Sequence, residues 1–389
     1  MKVLYLTSGV FDKGGISRYN RYQITALRDL FGEERVAVLS RRGPTGGKDD
    51  LETPFLVDWH GRGEGLSLSD KAAFVKETLH FALRHQPDLI WCAHLRLSGL
   101  AWLAARFIGA KVVVQVYGWE VWTPVRSRPD MYWGLRHSDY VVSDCYFTAQ
   151  YIENEGYRPP GTVEVMWDCV DTERFSPGPP DPAVLERYRI PDPTTGFNIL
   201  TLGRLAASAA YKGYERLLEV FVKLPSHCRL IYGGGGDLIP ILQARARTLG
   251  VEDRVTFTGF IDEADLPDAY RSASVFCLVG DRGPGRGEGI PLTPLEAAAC
   301  GVPILVGNQD GSREAVEQGV NGFALDPFDL ETIAYHLQRL AEDEPYRQRL
   351  GRAARARIER EHAYPVFRGR MQRFLSKIVA NYSISDRRG

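Results

Sequence analysis

Short runs rich in Val, Ile, Leu and Tyr alternate with longer segments whose apolar residues recur every three or four positions, along most of the 389-residue chain. Such alternation predicts parallel strands covered by helices. At the amino end "KVLYLTSG" reads as a strand, a glycine loop follows, and "ISRYNRYQITALRDLF" has apolar residues at helical spacing. Further strands are expected at "RVAVLS", "DLIWCAH", "AKVVVQVYG" and "DYVVSD", with "LSGLAWLAARFIG" as a buried crossover helix. The arrangement then begins again with "FNILTLGR" as strand and "GYERLLEVFVKL" as helix. "CRLIYGGGG", "RVTFTGF", "SVFCLVG" and "VPILVG" continue it as strands with helices between them.

Between the halves, the prolines and glycines of "FSPGPPDPAVLERYRIPDPTTG" mark a linker or boundary. Length agrees, because single cores stop growing at roughly 250 to 300 residues. The expected fold is therefore α/β, with two doubly wound Rossmann-like domains at residues 1–168 and 169–365. Residues 366–389 form a helical tail whose stripe of Phe367, Met371, Phe374, Leu375 and Ile378 is expected to pack back across the junction. Ligands of open α/β sheets bind outside the carboxyl ends of the strands, so a cleft between two facing domains is the expected site.

Composition narrows the field. A formal net charge of -1 with 25% charged residues gives no global field for nucleic acid or an anionic membrane, so any membrane contact is peripheral and local. No apolar stretch reaches 18 residues and the amino end lacks a signal-type core, so a cytoplasmic location is expected. Six scattered cysteines form no C-x-x-C pair, and Cys92, Cys277 and Cys300 lie in apolar runs as small core fillers. No metal site is expected from these spacings.

The candidate chemistry starts at "GEGIPLTPLEAAACG", residues 287–301, where Glu288 and Glu296 flank Pro291 and Pro294. Thr293, Pro294 and Glu296 match a capping box, which makes Glu296 a helix-end residue on one account. That account leaves Glu288 unexplained. It sits in "GDRGPGRGEGI", where alternate glycines are expected to leave backbone amides uncovered before a helix start, an anion site. Carboxylates beside an anion site suit a ligand both anionic and polyhydroxylated, as a nucleotide sugar is. Cations for its phosphates are available in "LGRLAASAAYKG", with Arg204 directly after a strand and Lys212 before a helix. The plain alternative for both is solvated surface charge.

Taken together, "GGISRYN", "GRL…YKG", "YGGGGD", "VTFTGF" and "EGIPLTPLEAAACGVP" resemble family 4 of the retaining glycosyltransferases, which have the GT-B architecture of two facing α/β domains. The resemblance implies that Arg204 and Lys212 bind the donor diphosphate, Glu296 the ribose and Glu288 the transferred sugar's hydroxyls. It implies further donor contacts at Gly14, Gly15, Ile290, Leu292, Thr293, Phe260 and Ile261. The donor is then a nucleotide-diphosphate sugar, UDP- or GDP-linked, with no other cofactor. Two departures stand out. The family's "HGxE" is "YGWE" here, with Tyr117 in place of a histidine that contacts the donor sugar, and its "EGFG" is "EGIP".

The resemblance implies a retaining, metal-independent transfer in which the leaving phosphate takes the acceptor's proton, with Arg204, Lys212, Glu288 and Tyr117 as the reacting set. Tyr117 would offer the sugar a neutral hydrogen bond, since a phenol with pKa about 10 keeps its proton at pH 7. On the acceptor side stand His94, Trp119, Glu120 and Arg126, with Trp122, Tyr132 and Trp133 completing an aromatic-rich stretch. Such a stretch serves as core packing or as a stacking platform for a sugar. His94 reads equally as a cap, a core residue or an acceptor contact. Arg126 and Arg128 suit the phosphate of a lipid-linked acceptor. A saccharide or glycolipid acceptor in cell-surface synthesis is expected; a nucleotide-sugar epimerase or a non-catalytic nucleotide-sugar-binding subunit are the alternatives.

Overall fold

The computed structural model describes residues 1–46, 53–65, 67–122 and 125–385. Its backbone contacts gather residues 1–168 and 365–389 into one compact unit and residues 169–364 into a second.

The first unit is built on seven parallel strands: β1 (Val3–Thr7), β2 (Val36–Ser40), β3 (Trp59–His60), β4 (Leu89–Cys92), β5 (Lys111–Val116), β6 (Tyr140–Ser143) and β7 (Val163–Val165). They lie in the order β3-β2-β1-β4-β5-β6-β7, with Val3 facing Val36 on one side and Leu89 on the other. Helices cover both faces of such a sheet, so its central strands read as near-continuous apolar runs. All five residues of β1 are buried accordingly. Helix Gly15–Phe31 follows β1, and helix Ser98–Ile108 packs its Ala101, Ala104 and Ala105 into the core as the expected crossover.

The second unit repeats the plan with β8 (Phe197–Leu202), β9 (Cys228–Gly233), β10 (Val255–Gly259), β11 (Val275–Leu278), β12 (Ile304–Gly307) and β13 (Gly322–Leu325). Their order is β10-β9-β8-β11-β12-β13, again all parallel. In both sheets the strand order reverses beside the first strand, between β1 and β4 and between β8 and β11. Such reversals open a crevice at the strands' carboxyl ends.

Three strands, β3, β7 and β13, have no counterpart in the sequence pattern. They have two, three and four residues respectively. The proline-rich segment is also more ordered than a linker. It contains helix Pro182–Tyr188, capped by Asp181, and Arg187 and the Tyr188 hydroxyl reach Asp265 Oδ2 at 2.6 and 2.8 Å. Helix Tyr364–Ser385 buries Phe367, Met371, Phe374, Leu375 and Ile378, with Phe374 edge-on to Trp91 and Tyr140 in the first unit. All six cysteines are buried free thiols, and no described helix is long and apolar enough to cross a membrane.

Candidate active site

At the β8–β11 reversal the chain leaves β8 through Gly203 and Arg204. Glycines make this turn compact. A Cβ at Gly234 (φ 120°) would stand 1.9 Å from the Gly203 carbonyl oxygen, and one at Gly236 (φ 153°) 2.0 Å from that of Leu205. Only glycine tolerates both the left-handed backbone and the close approach. Asp237 then accepts from the Ala207 amide at 2.8 Å. These contacts fix the loop and leave the Arg204 side chain exposed at its rim.

The next turn, Ala207–Lys212, delivers Tyr211 and Lys212, and Gly213 lets it press on the end of β11. Lys212 Nζ lies 2.6 Å from Glu288 Oε1, and the Tyr211 hydroxyl donates to the same oxygen at 2.7 Å. Burial, followed by the Glu288 charge, raises the Tyr211 phenol well above its ordinary value, so it stays a donor. The Glu288 amide donates to Asp310 Oδ2 at 2.8 Å. Burial is the main cause that pushes the Asp310 carboxyl up to about 7; the Glu288 charge adds to it, while hydrogen bonds from the Glu288 and Ser312 amides oppose it.

In the glycine loop Gly283 and Arg286 bond each other's backbones at 3.1 Å both ways, and Glu288's amide is taken by Asp310. One sequence expectation for this segment is corrected: no capping box forms. The helix is Leu292–Ala299 with Pro291 at its N-cap, and no side chain caps it. Pro294 sits within the first turn, where no amide is needed, so the helix begins before Thr293. Thr293 Oγ1 is left buried without a hydrogen-bond partner among the described residues. Glu296 is buried and accepts from the Tyr270 hydroxyl at 2.7 Å. Ile290, Leu292 and Ile261 are also buried, so any ligand they meet touches backbone, whereas the Phe260 ring is exposed after β10.

In the first unit Gly14 (φ 132°) is the N-cap of helix Gly15–Phe31, and both glycines are exposed. Tyr117 follows β5 and is buried. Its hydroxyl donates to Asn20 Oδ1 at 2.9 Å. Tyr5 also approaches Asn20 Oδ1, at 3.2 Å, but lies closer to Gln23 Oε1, at 2.6 Å. Each phenol has one proton, so Tyr5 serves Gln23 and Tyr117 serves Asn20. Asn20 in turn donates to Thr7 Oγ1 and the Gly9 carbonyl at 2.8 and 3.1 Å. The hydroxyl expected to give a hydrogen bond to the donor sugar thus already spends its proton on bracing the loop after β1.

His94 is buried and caps the turn Leu95–Leu97, its Nδ1 accepting from the Arg96 amide at 3.2 Å. Burial, then the charges of Arg96, Arg41 and Arg42, lower it to about 3, so the ring is neutral. Trp119 meets His94 edge-on with centroids 6.2 Å apart, and the Arg96 guanidinium lies 4.8 Å over the indole. Glu120 is buried, accepts from the Tyr117 amide at 2.7 Å and is pushed up to about 7 by burial. Arg126 donates to the Glu155 carbonyl and stands over Tyr157, and Trp133 stacks on His137 beside Trp102. The aromatic-rich stretch therefore splits among separate clusters and forms no single platform.

Residues 186–357 match the family described as glycosyl transferases group 1, and residues 14–166 match the glycosyl transferase 4-like domain. The chain belongs to this glycosyltransferase family. Among curated relatives, the GDP-mannose-dependent alpha-(1-6)-phosphatidylinositol monomannoside mannosyltransferase of Mycolicibacterium smegmatis is 30% identical over 282 residues, 70% of this chain and 72% of that one. Its Mycobacterium tuberculosis counterpart is 28% identical over 305 residues, 75% and 76% of the two chains. Among solved structures, sucrose-phosphate synthase from Thermosynechococcus elongatus superposes with a TM-score of 0.79 at 19% identity, covering 98% of this chain and 100% of that one. Anabaena HepE, solved with UDP-glucose, gives 0.77 at 19% identity over 97% and 100%. The fold of this glycosyltransferase is thus GT-B.

Several residues around these groups carry no sequence signal that would single them out. Tyr211 and Asp310, which hold Glu288, and Tyr270, which holds Glu296, come from separate turns and helices brought together by packing alone. Asn20 looks like any polar position on an amphipathic helix.

Proposed function

We propose that this glycosyltransferase is a retaining, metal-independent hexosyltransferase acting on a saccharide or lipid-linked acceptor in glycolipid or cell-surface polysaccharide synthesis. The observation that carries this reading is the Lys212–Glu288 pair at 2.6 Å beside the exposed Arg204, at the carboxyl end of β8. Lys212 and Arg204 supply two positive charges for a leaving diphosphate. Preorganised donors of that kind contribute about 3 to 4 kcal/mol each to a transition state. Glu288, held by Lys212 and Tyr211, accepts from the hydroxyls of the transferred sugar, and Glu296 accepts from the ribose.

In the transfer, the bond between the anomeric carbon and the diphosphate oxygen breaks as the acceptor oxygen bonds to the same face of that carbon. The acceptor's proton passes to the departing phosphate oxygen. The two cations that stabilise this charge are the reason metal independence is proposed. The mycobacterial relatives, named for GDP-mannose and a phosphatidylinositol mannoside, supply the first donor and acceptor classes to try. The test is transfer by purified protein from GDP-mannose and UDP-glucose, with and without EDTA, with NMR of the product's anomeric centre. Retention at an unchanged rate in EDTA is expected; inversion, or loss of rate restored by a divalent metal, overturns the proposed mechanism.

A further inference from the structure

The first unit carries a cluster of arginines that the donor reading does not use. Arg41 and Arg42 follow β2, and Arg96 follows β4, so they lie on either side of Ser8 and Gly9 at the carboxyl end of β1. That is the β1–β4 strand-order reversal, where open α/β sheets bind ligands. The backbone there is built closely. The Arg41 and Arg42 amides donate to the Thr7 and Ser8 carbonyls at 3.0 and 3.2 Å. A Cβ at Gly61 would stand 2.0 Å from the Arg41 carbonyl oxygen and one at Gly65 (φ 61°) 2.6 Å from it, so glycines at both positions let residues 61–65 wrap this turn.

The charges in this cluster are poorly balanced. Arg42 is bridged to Asp12 at 2.9 Å and donates to the Ser8 carbonyl. Among the described residues no carboxylate pairs with Arg41 or Arg96, and Arg41 Nε is buried without a hydrogen-bond partner. Arg41 is lowered by burial first and then by the Arg42 and Arg96 charges, with the Asp12 charge opposing them, so three guanidinium groups and one carboxylate share one region. The other nearby groups are the neutral His94 and the buried Glu120, which the Arg96 charge reaches and whose carboxyl burial raises to about 7. The Arg96 guanidinium lies 4.8 Å from the centroid of the Trp119 indole, a cation–π contact, and the side chain remains exposed. Three cations at a strand-order reversal against the single bridged carboxylate of Asp12 leave an excess of positive charge that suits an anion, and the guanidinium fork matches phosphate oxygens in particular.

We propose that Arg41, Arg42 and Arg96 form a subsite for a phosphoryl group of the acceptor, with Trp119 beside it to pack against the attached sugar or polyol. The inference rests on the transferase reading and moves the acceptor phosphate from Arg126 and Arg128 to this cluster. The phosphate belongs either to a lipid head group or to a soluble phosphorylated acceptor.

The experiment titrates inorganic phosphate into wild type, Arg96→Gln and Arg41→Gln by calorimetry, with GDP or UDP saturating the donor site. A second arm measures co-sedimentation with phosphatidylinositol-containing vesicles against pure phosphatidylcholine vesicles. Phosphate should bind wild type and lose tenfold or more in affinity in Arg96→Gln, while nucleotide diphosphate affinity stays unchanged. Arg96 is exposed, so its variant folds even if the half-buried Arg41→Gln does not. Vesicle binding lost in the same variant identifies a lipid head group; vesicle binding absent in wild type, with phosphate binding retained, identifies a soluble acceptor. Phosphate binding that is absent, or equal in wild type and Arg96→Gln, overturns the subsite. Absence of nucleotide diphosphate binding in wild type overturns the transferase reading instead, so the two failures are distinct.

Discussion

Lys212 and Glu288 meet at 2.6 Å from loops that follow different strands, and only 15% and 20% of their side chains are exposed. In the unliganded site each neutralises the other, so an arriving diphosphate competes with Glu288 for Lys212. Lys212→Ala should therefore lower turnover on the order of a hundredfold, the usual loss of one preorganised donor. Glu288→Gln should also lower turnover, yet leave nucleotide diphosphate affinity equal or tighter because Lys212 is released. Calorimetry with GDP and UDP beside steady-state rates reads both; weaker diphosphate binding in Glu288→Gln contradicts the assignment.

Glu296 and Tyr270 form a buried pair, with the phenol donating at 2.7 Å. Because no capping box exists, Glu296→Gln should not act through the helix end. It should weaken nucleotide diphosphate binding about tenfold, since a carboxylate accepts from a ribose hydroxyl more strongly than an amide does. Tyr270→Phe should weaken it less, by loosening the carboxylate. A fall in melting temperature with diphosphate affinity intact would assign Glu296 to structure alone.

Tyr117→Phe removes the proton that Asn20 Oδ1 accepts. A buried acceptor that loses its donor costs about 1 to 3 kcal/mol. Urea unfolding should show that loss. Asn20→Ala should show a comparable one, and the double variant less than the sum, as expected for one network. Additive losses, or unchanged stability in Tyr117→Phe, contradict the bracing role.

The Glu120 carboxyl rises from 4.5 to about 7 through burial. A raised carboxyl binds its proton more tightly in the folded chain, so its contribution to stability is retained below pH 4.5 and falls as pH climbs to about 7. Glu120→Gln removes this titration. The unfolding free energy of the variant relative to wild type should therefore shift in the variant's favour between pH 5 and pH 8, measured by denaturant titration at each pH. A pH-independent difference contradicts the raised value.

The two-unit α/β plan was legible in the chain because buried parallel strands and their covering helices are local patterns, written in runs such as "VLYLT" and in the period of residues 15–31. Arg204, Lys212, Glu288 and Glu296 stood out as candidates because they sit in short motifs at strand ends and helix starts. The partners of those groups were not. That Tyr211 and Asp310 hold Glu288, that Tyr270 rather than a helix end holds Glu296, and that Tyr117 spends its proton on Asn20 depend on side chains dozens of residues apart. The same holds for Arg41 and Arg96, which become one cluster only because β2 and β4 both lie beside β1. Periodicity reports which face of an element is buried, but hydrogen-bond partners and shared charge are set by which elements become neighbours, and that is decided by packing in three dimensions.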